Sequence, residues 1–74
     1  MTDVGAIGAV GRVLVAIRGA HGAGEVMLTL GGVRECFIAT SDAPIDRGET
    51  VLVIDVEPHR HVVVVPWTDL PMPQ

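Results

Sequence analysis

Short runs of β-branched residues, separated by glycine and proline, are the feature that most constrains the fold of this chain. Valine, isoleucine and threonine dominate the runs, and none has the apolar spacing that an amphipathic helix requires. The pair Gly31-Gly32 is typical of the two-residue turns that connect antiparallel strands. The runs comprise residues 12–18, 25–30, 33–39, 50–57 and 61–65. We therefore predict an all-β protein with five strands.

The number of strands favours a small barrel. A sandwich of the immunoglobulin type needs about seven strands. A closed sheet also removes the exposed strand edges that would put such apolar strands at risk of aggregation. The sequence thus predicts a closed or nearly closed barrel.

Alternation within each run predicts which side chains face the barrel interior. In the fourth run the alternation breaks at Val56, and a bulge near Val53 and Ile54 restores it by turning Asp55 outward. Ile45 is the one large aliphatic residue in the turn before this run, and we predict that its side chain is buried in the core. The predicted core comprises Val13, Val15, Ile17, Val26, Leu28, Leu30, Phe37, Ala39, Ile45, Val51, Val53, Ile54, Val56, Val62 and Val64.

The length of 74 residues suits one small domain. We expect a lead-in at residues 1–8, a barrel at 9–66 and a proline-rich tail at 67–74. The longest stretch without a formal charge is eight residues. A membrane-spanning helix needs about 20 apolar residues, so we expect no span within this chain. No basic segment followed by an apolar run opens the sequence, and we expect no signal peptide.

The charge balance argues against nucleic acid as a partner. The formal net charge is −4, and the chain contains no lysine. Nucleic-acid binding draws most of its affinity from lysine and arginine at phosphates, and single strands also need aromatic side chains for base stacking. Phe37 and Trp67 are the only aromatic residues, and Phe37 is predicted to face the core.

Three features resemble chemical sites, and none carries a complete pattern. His59, His61 and Glu57 are residue types that bind zinc. Pro58 interrupts the strand between Glu57 and His59, however, and we interpret the histidines as exposed turn and strand-end residues. Cys36 lacks a neighbouring base or cation that would activate a thiolate, and we interpret it as a small apolar filler. We predict no catalytic, cofactor-binding or metal-binding residues.

The glycine-rich segment at residues 19–24 is the third such feature. Glycine loops hold phosphate through backbone N–H groups at the start of a helix. Here Gly24 is followed by Glu25, which opens a predicted strand. The segment is therefore interpreted as a plain loop between strands.

The order of several short motifs resembles the C-terminal soluble domain of NfeD-like membrane proteins, over roughly residues 4–66. The motifs are Gly8-Ala-Val-Gly-Arg-Val-Leu-Val, Gly24-Glu-Val, Phe37-x-Ala-x-Ser, Pro44-Ile-x-x-Gly-x-x-Val-x-Val and Val62-x-Val. They are most similar to variants found beside SPFH proteins, the family of stomatin and flotillin. The resemblance implies a five-stranded barrel of the oligonucleotide/oligosaccharide-binding (OB) type. It also implies attachment to transmembrane helices that this chain lacks, and no catalytic motif.

We expect function to reside on the outer face of this barrel. The residues expected to form a protein-interaction surface are Leu14, Val63, Val65 and Trp67. Apolar side chains in one outward row favour docking or self-association over solvent exposure. The hypothesis is a non-enzymatic interaction domain, membrane-associated through missing segments and lying in the cytoplasm, with an SPFH-type partner implied by the resemblance. The alternatives are an OB-fold nucleic-acid binder and an accessory regulatory domain of a membrane protease or transporter.

Overall fold

Five strands form a closed barrel, as predicted. The computed structural model describes residues 4–68. Its elements are a short 3-10 helix η1 (Val4–Ala6) and strands β1 (Val10–Val15), β2 (Gly24–Leu30), β3 (Val33–Thr40), β4 (Thr50–Glu57) and β5 (His61–Pro66). The strand order around the barrel is β1-β2-β3-β5-β4. Only the β3–β5 pair is parallel among these neighbours.

Glycines fix two local features of the barrel. Gly31 and Gly32 have φ values of 58° and 82°, and two successive positive values define the tight turn that suits the twist of a β-hairpin. Gly11 allows close packing, because a Cβ atom there would overlap the Met27 carbonyl oxygen and Leu28 Cδ2. Strands β1 and β2 can therefore approach closely at this point.

The core is made mainly of the side chains that alternation predicted. The buried core residues are Ala6, Val13, Ile17, Val26, Leu28, Phe37, Ala39, Ile45, Val51, Val53, Val62 and Val64. Leu30 and Val56 are half-buried and pack against this core. Ile45, in the turn before β4, forms two backbone hydrogen bonds with Ile17, at 2.8 and 2.9 Å.

The predictions for Val15 and Ile54 are wrong, since each side chain is 49% exposed. The physical reason is a register shift in each case. The β1–β2 pairing shifts between Val13 and Val15, and the β4–β5 pairing shifts between Val53 and Asp55. A bulge does lie at Ile54, but it turns Ile54 outward, whereas the prediction had placed this residue inside.

The segment before β1 is part of the packed structure. Ala6 is completely buried. The Gly8 N–H donates to the Val53 carbonyl, and the Val53 N–H donates to the Ala9 carbonyl, both at 2.9 Å. Residues 1–3 of the expected lead-in and 69–74 of the expected tail lie outside the described residues. Within residues 4–68, no helix is long and apolar enough to cross a membrane.

Candidate interaction surface

An apolar row crosses three adjacent strands on the outside of the barrel. Val10 on β1 pairs with Leu52 on β4, and Leu52 pairs in turn with Val65 on β5. Val10 is 44% exposed, while Leu52 and Val65 are half-buried. Directly paired residues in a sheet have Cβ atoms about 5 Å apart, so the three side chains form one continuous strip.

Two further apolar residues lie on the same outer face, and Arg12 separates one of them, Leu14, from Val10. Leu14 lies on the outer face of β1 and is 37% exposed. Trp67 is 41% exposed and lies beside the start of β4, because its N–H donates to the Thr50 carbonyl at 2.9 Å. We call the set of Val10, Leu14, Leu52, Val65 and Trp67 the apolar band.

The structure brings three of the four predicted surface residues into the apolar band. Leu14, Val65 and Trp67 lie around the β1–β4–β5 face, joined by Val10 and Leu52. Val63 is set apart, because its neighbours across the strands are Thr40 on β3 and Asp55 on β4. It is half-buried between these polar side chains.

A cleft adjoins the apolar band on its β1–β2 side. The cleft has a volume of about 440 Å³ and opens to solvent. Its lining combines two arginines and two threonines with apolar side chains: Val10, Gly11, Arg12, Leu14, Met27, Thr29, Arg34 and Thr50. Among residues 4–68, no acidic residue lines it. We call this feature the basic cleft.

Strand register explains why the two arginines share the basic cleft. Arg12 pairs with Met27 on β2 and with Thr50 on β4. Arg34 pairs with Thr29, two residues along β2 from Met27. All five side chains therefore point to the same outer face of the sheet. Among residues 4–68, neither guanidinium forms an ion pair or a side-chain hydrogen bond.

Comparisons with known proteins agree with this architecture. The family model for the NfeD C-terminal domain matches residues 10–65. This chain belongs to the NfeD C-terminal domain family. Its fold is similar to the solution structure of the soluble domain of the NfeD protein YuaF from Bacillus subtilis, with 33% identity and a TM-score of 0.68, covering 80% of this chain and 70% of that one. No curated protein matches the chain.

Two of the three histidines of this NfeD C-terminal domain, His59 and His61, lie at the β4–β5 turn, and His21 lies in the loop between β1 and β2. His61 Nδ1 is 3.5 Å from Glu57 Oε1, and His61 Nε2 is 3.2 Å from the Thr40 hydroxyl. Both ring nitrogens of His61 therefore have protein neighbours. His59 lies within the turn itself with a positive φ of 67°. Across the described part of the chain, no group of three or more histidine, cysteine or acidic side chains could hold a metal ion.

Arg60 closes the barrel end beside this turn. Its Nη2 donates to Glu35 Oε1 at 2.8 Å, and its guanidinium carbon lies 4.5 Å from the centroid of the Phe37 ring. Cys36, between these two residues, is exposed, so its interpretation as an apolar filler is wrong. Because Phe37 faces the core, alternation turns Cys36 to the outer face.

The glycine-rich segment of the NfeD C-terminal domain is an inter-strand loop, as predicted. The Gly22 N–H donates to the Gly19 carbonyl at 3.3 Å, and the Arg18 N–H donates to the Gly22 carbonyl at 2.8 Å. These bonds close the loop on itself. Gly24 opens β2 rather than a helix.

Sequence reasoning missed Val10, Arg12, Leu52 and Arg34 as surface partners. Alternation alone marked Arg12 as outward, but it could not show which strands lie side by side. The β1–β4 pairing joins residues about 40 positions apart and has no local signal in the chain. The absence of acidic residues at positions 4–18 was a signal that could have pointed to the basic cleft.

Proposed function

We propose that this NfeD C-terminal domain is a non-enzymatic protein-interaction module whose partner is an SPFH-type protein of the stomatin and flotillin class. The observation that carries the proposal is the apolar band on the outside of the barrel. Family membership supports the choice of partner, since the NfeD-like variants that this sequence resembles occur beside SPFH proteins. In the full-length protein the module would be held at the membrane by segments outside this chain.

The energetics of the apolar band support a docking role. Transfer of apolar surface out of water contributes roughly 25 cal/mol per Å², and a contiguous exposed patch gains this energy only when another surface covers it. The core side chains fill the barrel interior, so a ligand has to bind outside. Strand β5 ends at Pro66, which cannot donate a ladder hydrogen bond, and side-chain packing is thus the favoured mode of contact.

The proposal includes a location on the cytoplasmic side of the membrane. Cys36 is a free and exposed thiol. Exposed free cysteines are better tolerated in reducing compartments than in oxidising ones.

Binding to the SPFH protein from the same organism tests the proposal. We compare the wild type with Val10→Glu, which places a charge in the apolar band, by isothermal titration calorimetry. Ile38→Glu is the matched control, because Ile38 is also exposed but lies on β3, between Glu25 and His61. Thermal unfolding of each variant, followed by circular dichroism, shows whether the barrel remains intact.

We expect wild type and Ile38→Glu to bind with similar affinity and Val10→Glu to bind at least tenfold more weakly, with the barrel folded in all three. Equal affinities of Val10→Glu and Ile38→Glu for the SPFH protein would exclude the apolar band as the contact surface. No binding by the wild type would exclude the SPFH protein as the partner.

A further inference from the structure

The basic cleft differs in charge from the rest of this acidic molecule. The chain carries five basic and nine acidic side chains, yet two of the arginines line a cleft that no acidic residue of the described part of the chain lines. Neither Arg12 nor Arg34 has an ion-pair partner among residues 4–68. Guanidinium groups form their strongest pairs with carboxylates, often through two parallel hydrogen bonds. The local charge therefore complements an acidic ligand.

The spacing of the two arginines fits an extended peptide. Arg12 and Arg34 lie two strands apart and two positions out of register, which places their Cα atoms about 12 Å apart for strands spaced at about 4.8 Å. Side chains that share one face of an extended chain recur every ~7 Å. Two carboxylates on one face of an extended segment can thus reach both guanidinium groups.

The surface around the arginines is suited to apolar side chains. Met27, Val10 and Leu14 line the same cleft, and Thr29 and Thr50 add hydroxyl groups. A ligand that alternates acidic and apolar residues would match both the charges and the apolar floor. Because Val10 and Leu14 also belong to the apolar band, the basic cleft and the band form one continuous surface.

We propose that the basic cleft binds an extended acidic segment of the partner protein, with Arg12 and Arg34 pairing with its carboxylates and its apolar residues covering Met27 and Leu14. This inference rests on the proposed function, since it names the chemistry of the partner at the same surface. A peptide is favoured over an anionic lipid surface, because recognition of such surfaces typically uses clusters of about four to eight basic residues. The net charge of −4 also opposes approach to an anionic bilayer.

The single tryptophan provides a direct readout. Trp67 is the only tryptophan of the chain, and its backbone N–H donates to the carbonyl of Thr50, which lines the basic cleft. We follow Trp67 fluorescence during titration with an acetylated heptapeptide in which glutamate alternates with leucine. The same peptide with glutamine in place of glutamate is the ligand control. Vesicles containing phosphatidylserine are titrated in the same way, to test whether the ligand is an anionic lipid surface.

The variants Arg12→Gln and Arg34→Gln remove one charge each and keep a polar side chain. Arg47→Gln is the matched control, because Arg47 is exposed in the turn between β3 and β4 and does not line the cleft. Each cleft variant is expected to bind the acidic peptide about tenfold more weakly, which corresponds to about 1.4 kcal/mol. Arg47→Gln is expected to bind like the wild type. Added salt should weaken peptide binding by the wild type more than by a variant that carries both Arg12→Gln and Arg34→Gln.

Several results would overturn the inference. The first is that the glutamine peptide binds the wild type as tightly as the glutamate peptide does, and the second is that both cleft variants bind the glutamate peptide with wild-type affinity. The third is that Trp67 fluorescence responds to vesicles but not to the peptide. The fourth is that the domain self-associates and that the cleft variants abolish this self-association. The same arginine variants are then titrated with the SPFH protein. If Val10→Glu alone loses SPFH binding, the proposed function holds and the acidic-segment inference fails. If the peptide binds but the SPFH protein does not, the partner assignment fails and the cleft chemistry holds.

Discussion

At the scale of single residues, alternation predicted the interior well where the strand register is regular. Val26, Leu28, Phe37 and Ala39 all face the core as expected. The errors fall at Val15 and Ile54, where bulges shift the register. A bulge beside Asp55 could be predicted because a charged side chain interrupts the apolar run, but the run containing Val15 alternates without a break.

Leu28 is the residue whose truncation tests the core most directly. It is completely buried, and Leu28→Ala is expected to reduce the free energy of unfolding by about 2–5 kcal/mol, because it removes buried apolar contacts and leaves a cavity. Urea denaturation measures the loss. Leu14→Ala serves as the exposed control and should change stability by less than about 1 kcal/mol. A similar small effect for both would contradict the assigned interior.

Gly11 tests the close approach of β1 and β2. Gly11→Ala is expected to destabilise the barrel by roughly 1–3 kcal/mol, because the new methyl group overlaps the Met27 carbonyl and the Leu28 side chain. Gly5→Ala is the control, since no atom of the described residues other than its chain neighbours lies within 4 Å of a Cβ atom there. Thermal unfolding of both variants measures the difference. Equal melting temperatures would contradict the tight contact.

At the scale of elements, the turns were more predictable than the strand ends. Gly31-Gly32 predicted a two-residue hairpin turn, which is confirmed, and β4 has the predicted bounds Thr50–Glu57. The Pro58-His59-Arg60 turn was also placed correctly. Its strain was not predictable, because His59 and Arg60 both adopt positive φ values, of 67° and 58°, which non-glycine residues seldom do.

Substitution of His59 tests this turn. Asparagine tolerates the left-handed region better than most residues, whereas β-branched residues tolerate it poorly. We expect His59→Asn to stabilise the barrel by about 0.5 kcal/mol and His59→Val to destabilise it by about 1 kcal/mol or more. Melting temperatures from circular dichroism give both signs. A higher melting temperature for His59→Val than for His59→Asn would contradict the positive φ of the turn.

At the scale of the whole molecule, the closed five-stranded barrel followed from strand number and from the need to protect apolar edges. The surface was less predictable. Leu14, Val65 and Trp67 were expected to form a docking site, but their linkage through Val10 and Leu52 depends on the β1–β4 pairing, which joins distant parts of the chain. The basic cleft depends in the same way on the β2–β3 register.

The whole-molecule charge leads to a prediction about nucleic acid. We expect no measurable binding of a single-stranded oligonucleotide at physiological salt, because two clustered arginines neutralise few phosphates and the net charge is −4. Fluorescence anisotropy with labelled single-stranded DNA and RNA provides the measurement. Micromolar binding with a steep salt dependence would favour the OB-fold nucleic-acid alternative.

The most direct test of the central claim is to map the contact surface by nuclear magnetic resonance. Isotope-labelled domain is titrated with the SPFH protein, and shifts of the backbone amide signals report the residues that are covered. We expect changes centred on Val10, Arg12, Leu14, Leu52 and Val65. Changes centred instead on the β3–β5 seam, at Ile38, Thr40 and His61, or no changes at all, would contradict the proposed contact surface.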